Sequence, residues 1–116
     1  MKIEKFYHPH EQNSILGRHE WSVARLIELS RKLPVMDVPL DHLAIHYQYD
    51  LTLREMVSHM KSVNDADLSF PIILDEDGEI MDGRHRVMKA LLNETESIKA
   101  VRFEKNPQPC VVRNKT

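Results

Sequence analysis

An α/β (α+β) fold follows from three local patterns in the 116-residue chain. Residues 71–82 read as two short apolar strands around a tight turn, residues 53–63 as a capped amphipathic helix, and residues 98–103 as an alternating, half-buried strand. Such elements bury their apolar faces only against one another, which predicts a small mixed sheet with packed helices.

In chain order, residues 1–19 are polar and irregular, with Tyr7-His8-Pro9-His10 and Gly17, and read as an N-terminal arm. Residues 20–33 read as a helix: Val23, Leu26, Ile27, Ser30 and Leu33 recur at helical spacing, Trp21 lies near the start, and Pro34 stops it. Val35 to Leu40 form a short strand whose Pro39 belongs at a sheet edge. Residues 41–50 fit a helical turn followed by a loop.

Thr52 and Glu55 make a capping-box pair, and Leu51 with Met56 a hydrophobic staple, at the start of the helix over 53–63. Leu53, Met56, Val57, Met60 and Val63 form its apolar stripe. Trp21, Met56, Met60, Met81 and Met88 are expected in the core.

Pro71-Ile72-Ile73-Leu74 and Glu79-Ile80-Met81-Asp82 pair through Asp75-Glu76-Asp77-Gly78, with Gly78 at positive φ. A helix over 84–92 buries Val87, Ala90 and Leu91, and Asn93 is a candidate left-handed C-cap. The domain closes with the strand over 98–103. The division is thus an arm (1–19), one domain (20–104) and an irregular tail (105–116) holding Pro107 and Pro109.

Composition narrows the function classes. Apolar residues are 41% and charged residues 29%, a globular mix. The single cysteine, Cys110, excludes an intramolecular disulfide and a structural CxxC zinc site. No apolar run reaches membrane-helix length, and Met1-Lys2-Ile3-Glu4-Lys5 lacks the core of a signal peptide, so a soluble, cytoplasmic protein without a membrane partner is expected. A net charge of −2 argues against a domain-wide nucleic-acid footprint but leaves room for a local basic patch.

That patch is Asp82-Gly83-Arg84-His85-Arg86, a strand end, a glycine and a helix start with consecutive basic residues. The first turn of a helix is already electropositive, so each added cation costs about 0.3–1 kcal/mol when exposed. An anion at the helix end reverses the sign. Gly83 permits close backbone approach, and the arginines supply forked donors, which makes a phosphate the candidate ligand of Gly83, Arg84, His85 and Arg86. Alternatively, Arg84 and Arg86 pair with Asp75, Glu76, Asp77 or Asp82 and hold the hairpin. Asp82 is a candidate general base or Mg²⁺ ligand, and equally a cap for the helix that follows.

With these residues in view, Pro71 to Phe103 resembles the ParB/sulfiredoxin superfamily: apolar strand, tight turn, strand ending in Asp-Gly, an x-His-Arg helix start and a closing strand. Val35 to Leu43 is similar to the opening strand of that fold, and the helix over 53–63 occupies the family's intervening position, so the resemblance spans about residues 35–103. In partitioning ParB proteins the matching helix start holds the CTP triphosphate. In sulfiredoxins it reads Gly-Gly-Cys-His-Arg, binds ATP phosphates and presents the catalytic cysteine. In free-serine kinases an Asp-Gly-His-His-Arg-like run binds nucleotide, and its Asp takes part in catalysis.

Gly83, His85 and Arg86 match most of these runs and Asp82 only the kinase-like one; Arg84 stands at the sulfiredoxin cysteine position, which disfavours sulfinic-acid reduction. The chain ends about 13 residues after the last strand, leaving no helix-turn-helix DNA-binding domain in this sequence.

The resemblance implies an isolated, bacterial-type, nucleotide-phosphate-binding domain that takes ATP, ADP or CTP with Mg²⁺. It would act as an NTPase or small-molecule phosphotransferase with Asp82 near the reacting end. The alternatives are a non-enzymatic DNA-associated module holding backbone phosphates, and a protein-interaction domain whose basic turn is structural. Oligomeric state is not specified by the sequence.

Other candidates have blander readings. His42 and His46, with Asp41 and His59, have helical metal-ligand spacing but read better as a polar turn and surface histidines. His8 and His10 lie in the arm, and Cys110 has no activating motif beside it in sequence.

Overall fold

The structure is a computed structural model that describes residues 13–16, 19–45 and 50–112. His8, His10 and His46 lie outside the described residues.

The described chain begins with β1 (Asn13–Leu16) and β2 (His19–Ser22), then α1 (Val23–Ser30) and β3 (Met36–Pro39). After a 3-10 turn at Leu40–His42 come α2 (Leu53–Asp65), β4 (Ile72–Leu74), β5 (Ile80–Asp82), α3 (Arg84–Leu92), β6 (Ser97–Arg102) and β7 (Val111–Val112). Among the described residues the fold is therefore mixed α/β, built on a four-stranded sheet of order β3-β6-β4-β5. β6 runs antiparallel to β3 and parallel to β4, and β4 pairs with β5 as a hairpin. β3 is an edge strand, as Pro39 requires.

Strand alternation divides the core between the two faces of this sheet. On one face Ile72, Leu74, Ile80, Ile98 and Ala100 meet Val87 and Ala90 of α3, with Leu40 and Leu43. On the other, Ile73, Met81, Val101 and Phe103 meet Trp21 and Leu26. α2 packs chiefly against α3.

The hairpin turn closes as its composition requires. Gly78 has φ +87°, its N–H donates to the Asp75 carbonyl at 3.0 Å, and buried Asp75 accepts from the N–H groups of Asp77 and Glu79 at 2.8 Å each. The α2 cap forms too: the Glu55 N–H donates to Thr52 Oγ1 at 3.1 Å, and that hydroxyl donates to Glu55 Oε1 at 3.0 Å.

Four expectations fail. Residues 13–16 and 19–22 are strands, not an irregular arm and the first turn of a helix, and residues 111–112 in the tail are a strand. They pair as a second sheet, β1-β2-β7: β1 and β2 are a local hairpin with Leu16 opposite His19, hidden in the sequence by its polar composition, and β7 joins β2 from the far end of the described chain. Trp21 is buried from this sheet, and its Nε1 donates to the Pro107 carbonyl at 2.9 Å.

Of the α2 stripe only Val63 is buried; Leu53, Met56, Val57 and Met60 are exposed, because α2 turns a different side towards α3. Met88 and Leu91 are exposed as well, whereas Met81 is in the core.

Finally, the left-handed residue after α3 is Glu94 (φ +57°), with Asn93 still helical at φ −81°. The Glu94 N–H donates to Leu91 O and the Thr95 N–H to Ala90 O, both at 3.1 Å, a Schellman closure one residue later than expected. A side chain at positive φ is strained. Glu94→Gly is therefore expected to stabilise the fold by about 0.5–1 kcal/mol, read as a raised midpoint in urea unfolding.

Candidate functional site

The strand-to-helix junction after β5 is set by one glycine. Gly83 is the N-cap of α3 at φ +104°, and no side chain caps the helix. A Cβ there would lie 2.5 Å from Ile72 Cγ2 and 2.9 Å from Ile72 Cβ. Glycine is thus required by the turn and by packing on β4, before any ligand is considered. Asp82 does not cap α3; its carboxylate turns to Arg86.

The junction sends its polar side chains in three directions. Arg86 Nη2 donates to Asp82 Oδ2 at 2.8 Å, while Nη1 donates to the carbonyls of Pro71 at 2.6 Å and Phe70 at 3.2 Å. The guanidinium thus ties α3 to the start of β4, its charge balanced by Asp82. His85 faces α2, with Nε2 2.7 Å from Nδ1 of His59. Burial foremost, then the His59 charge, holds its imidazole below the ordinary histidine pKa, against the opposing pull of Asp82.

Arg84 is exposed and has no hydrogen bond or ion pair among the described residues. Asp75, a partner considered for these arginines, has one carboxylate oxygen committed to its own turn. Of the basic residues in the first turn, Arg84 is therefore the cation available to an outside anion. The first-turn N–H groups add partial positive charge, and no acidic side chain occupies that turn.

Beside the junction, Asp82 and Arg86 form part of an open groove of about 360 Å³. Its apolar wall includes Ile27, Leu33, Phe70 and Ile73, and Arg31 and Asp67 are its other charged members. Hydrogen bonds from Ser69, the hydroxyl first and the backbone N–H second, lower the Asp67 pKa. The combination of an apolar wall and a few charged groups is typical of small-molecule sites.

Among the described residues no three His, Cys, Asp or Glu side chains converge as a metal site; His42 and Asp41 are exposed in the 3-10 turn. No helix of the described residues is long and apolar enough to cross a membrane.

Two local environments escaped the sequence reading. The His59–His85 pair joins residues 26 apart. Cys110 Sγ accepts from the Ser22 N–H at 3.4 Å and lies 3.6 Å from Arg25 Nη1, and these contacts, the backbone one first, lower the thiol pKa. Partners 85 and 88 positions away leave no motif to find.

No family model, curated protein or solved structure matches the chain.

Proposed function

We propose that the chain is a ParB/sulfiredoxin-like domain that binds the phosphates of a nucleotide at the first turn of α3. The observation that carries this reading is the uncapped, positively poised turn, with Arg84 unpaired beside it. The groove sharing Asp82 and Arg86 is large enough, and apolar enough, to take a base or a small acceptor.

In this reading Arg84 and the N–H groups of the turn contact phosphate. His85 contributes from its half-buried position, and Gly83 and Arg86 hold the turn in shape. Asp82 adjoins the turn in sequence, and Arg86 engages its Oδ2, not its Oδ1. Asp82 would serve an NTPase or small-molecule phosphotransferase as base or Mg²⁺ ligand. Mg²⁺ would arrive with ATP, ADP or CTP and be held mainly by phosphate oxygens, since it needs only one or two carboxylates from a protein.

Calorimetric titration with ATP, ADP and CTP, with and without Mg²⁺, tests the reading. Binding by at least one is expected, weakened about tenfold in Arg84→Ala by loss of a charge-assisted bond. The thermal midpoint of this exposed-site variant should stay within about 1 °C of the parent. Absence of binding at millimolar nucleotide, or equal affinity in the variant, overturns it. Duplex DNA binding with a steep salt dependence in place of nucleotide binding identifies the DNA-associated module instead.

A further inference from the structure

Across the interface between α2 and α3, His59 Nδ1 and His85 Nε2 lie 2.7 Å apart, with ring centroids 5.0 Å apart and planes at 39°. At that separation the two nitrogens share one hydrogen, because one of them must accept. A neutral pair satisfies this, and so does a pair carrying one extra proton. A doubly protonated pair does not: two N–H donors and two positive charges then meet head-on.

The rest of the α2 attachment is thin. Val63 is the buried apolar side chain of the helix. At its C-terminal end Lys89 Nζ donates to the carbonyls of Asn64 and Ala66 at 2.9 and 2.7 Å. Leu53, Met56, Val57 and Met60 contribute little burial. His59–His85 is therefore the polar fastening at the middle of α2.

We propose that His59 and His85 form an acid-labile latch, closed at neutral pH and opened by a second proton, which loosens α2 from α3. The inference does not depend on nucleotide binding.

The surrounding charges set its direction. His59 faces His85 from α2 and opposes its protonation, and Asp82 faces it from β5 and favours protonation. On α3 itself, Arg86 is neutralised by Asp82, Lys89 lies at the far end of α2, and Arg84 points to solvent. Burial acts with His59 to keep His85 neutral.

The docked state thus binds fewer protons than the open one, in which His85 returns to the ordinary histidine value of about 6.5. As pH falls below that value and through the depressed folded one, protons are drawn to the open form and docking weakens.

Amide hydrogen exchange tests this at about pH 7.5 and about pH 5, corrected for intrinsic rates. Protection over residues 53–65, relative to β6, should fall about tenfold on acidification in the parent protein. In His59→Gln it should fall less than about twofold, because the Gln carbonyl still accepts from a protonated His85. An unchanged parent ratio, or an equal fall in the variant, overturns the latch. Should His59→Gln disturb the fold, ring-proton titration of the parent by NMR decides: two separated steps support the latch, and independent titration at ordinary values removes it.

Discussion

Gly83→Ala is expected to cost about 3–5 kcal/mol, a large share of the stability of a domain this size. Two penalties add. An L-residue at φ +104° sits outside the comfortable backbone regions. The new methyl also meets the side chain of fully buried Ile72 at 2.5 and 2.9 Å and its Cα at 3.2 Å, where the strand cannot yield.

Gly78→Ala is the internal control. Its φ is also positive, at +87°, but no atom beyond its own backbone and its two chain neighbours lies within 4 Å of the added Cβ, so only the conformational penalty of about 1–2 kcal/mol applies. Urea unfolding of both variants checks the pair. Equal destabilisation would mean that contact with Ile72 is unimportant at the junction.

Arg86→Ala should lower stability by about 2–3 kcal/mol. It leaves the half-buried Asp82 carboxylate without its partner and frees the carbonyls of Phe70 and Pro71. The pair is partly solvated, with side-chain exposures of 19% and 15%, which keeps the loss below that of a fully buried bridge. Arg86→Lys should recover less than half of it, because an ammonium cannot span a carboxylate and two carbonyls in the plane of a fork.

The consequence for ligand binding is direct. Loss of nucleotide affinity in Arg86→Ala cannot be separated from loss of the junction, whereas Arg84→Ala removes a free cation and leaves the fold alone. Full recovery of stability by Arg86→Lys would show that charge, and not the forked geometry, holds the junction.

Much of the four-stranded half was legible because its signals are local. The α2 cap, the Gly78 turn and the α3 start at Arg84 all appear where residues within a few positions demand them. The second sheet was not legible for two reasons: β2 meets β7 across almost the whole chain, and the local β1–β2 hairpin is built from mostly polar residues without strand-like alternation. Periodicity also misplaced the α2 stripe. Spacing identifies an apolar face but not whether another element covers it, and here the covered side is centred on Val63.

At the candidate site, the sequence by itself determined which residues gather at the junction: a glycine flanked by an acid and three bases. Only the tertiary structure decided what each does. It gave Arg86 to Asp82 and two carbonyls of the β4 approach, His85 to His59 on α2, and left Arg84 in solvent. Backbone conformation is set by neighbours in the chain, whereas the partner of a long charged side chain is set by whichever carboxylates, carbonyls and rings folding brings within about 3 Å.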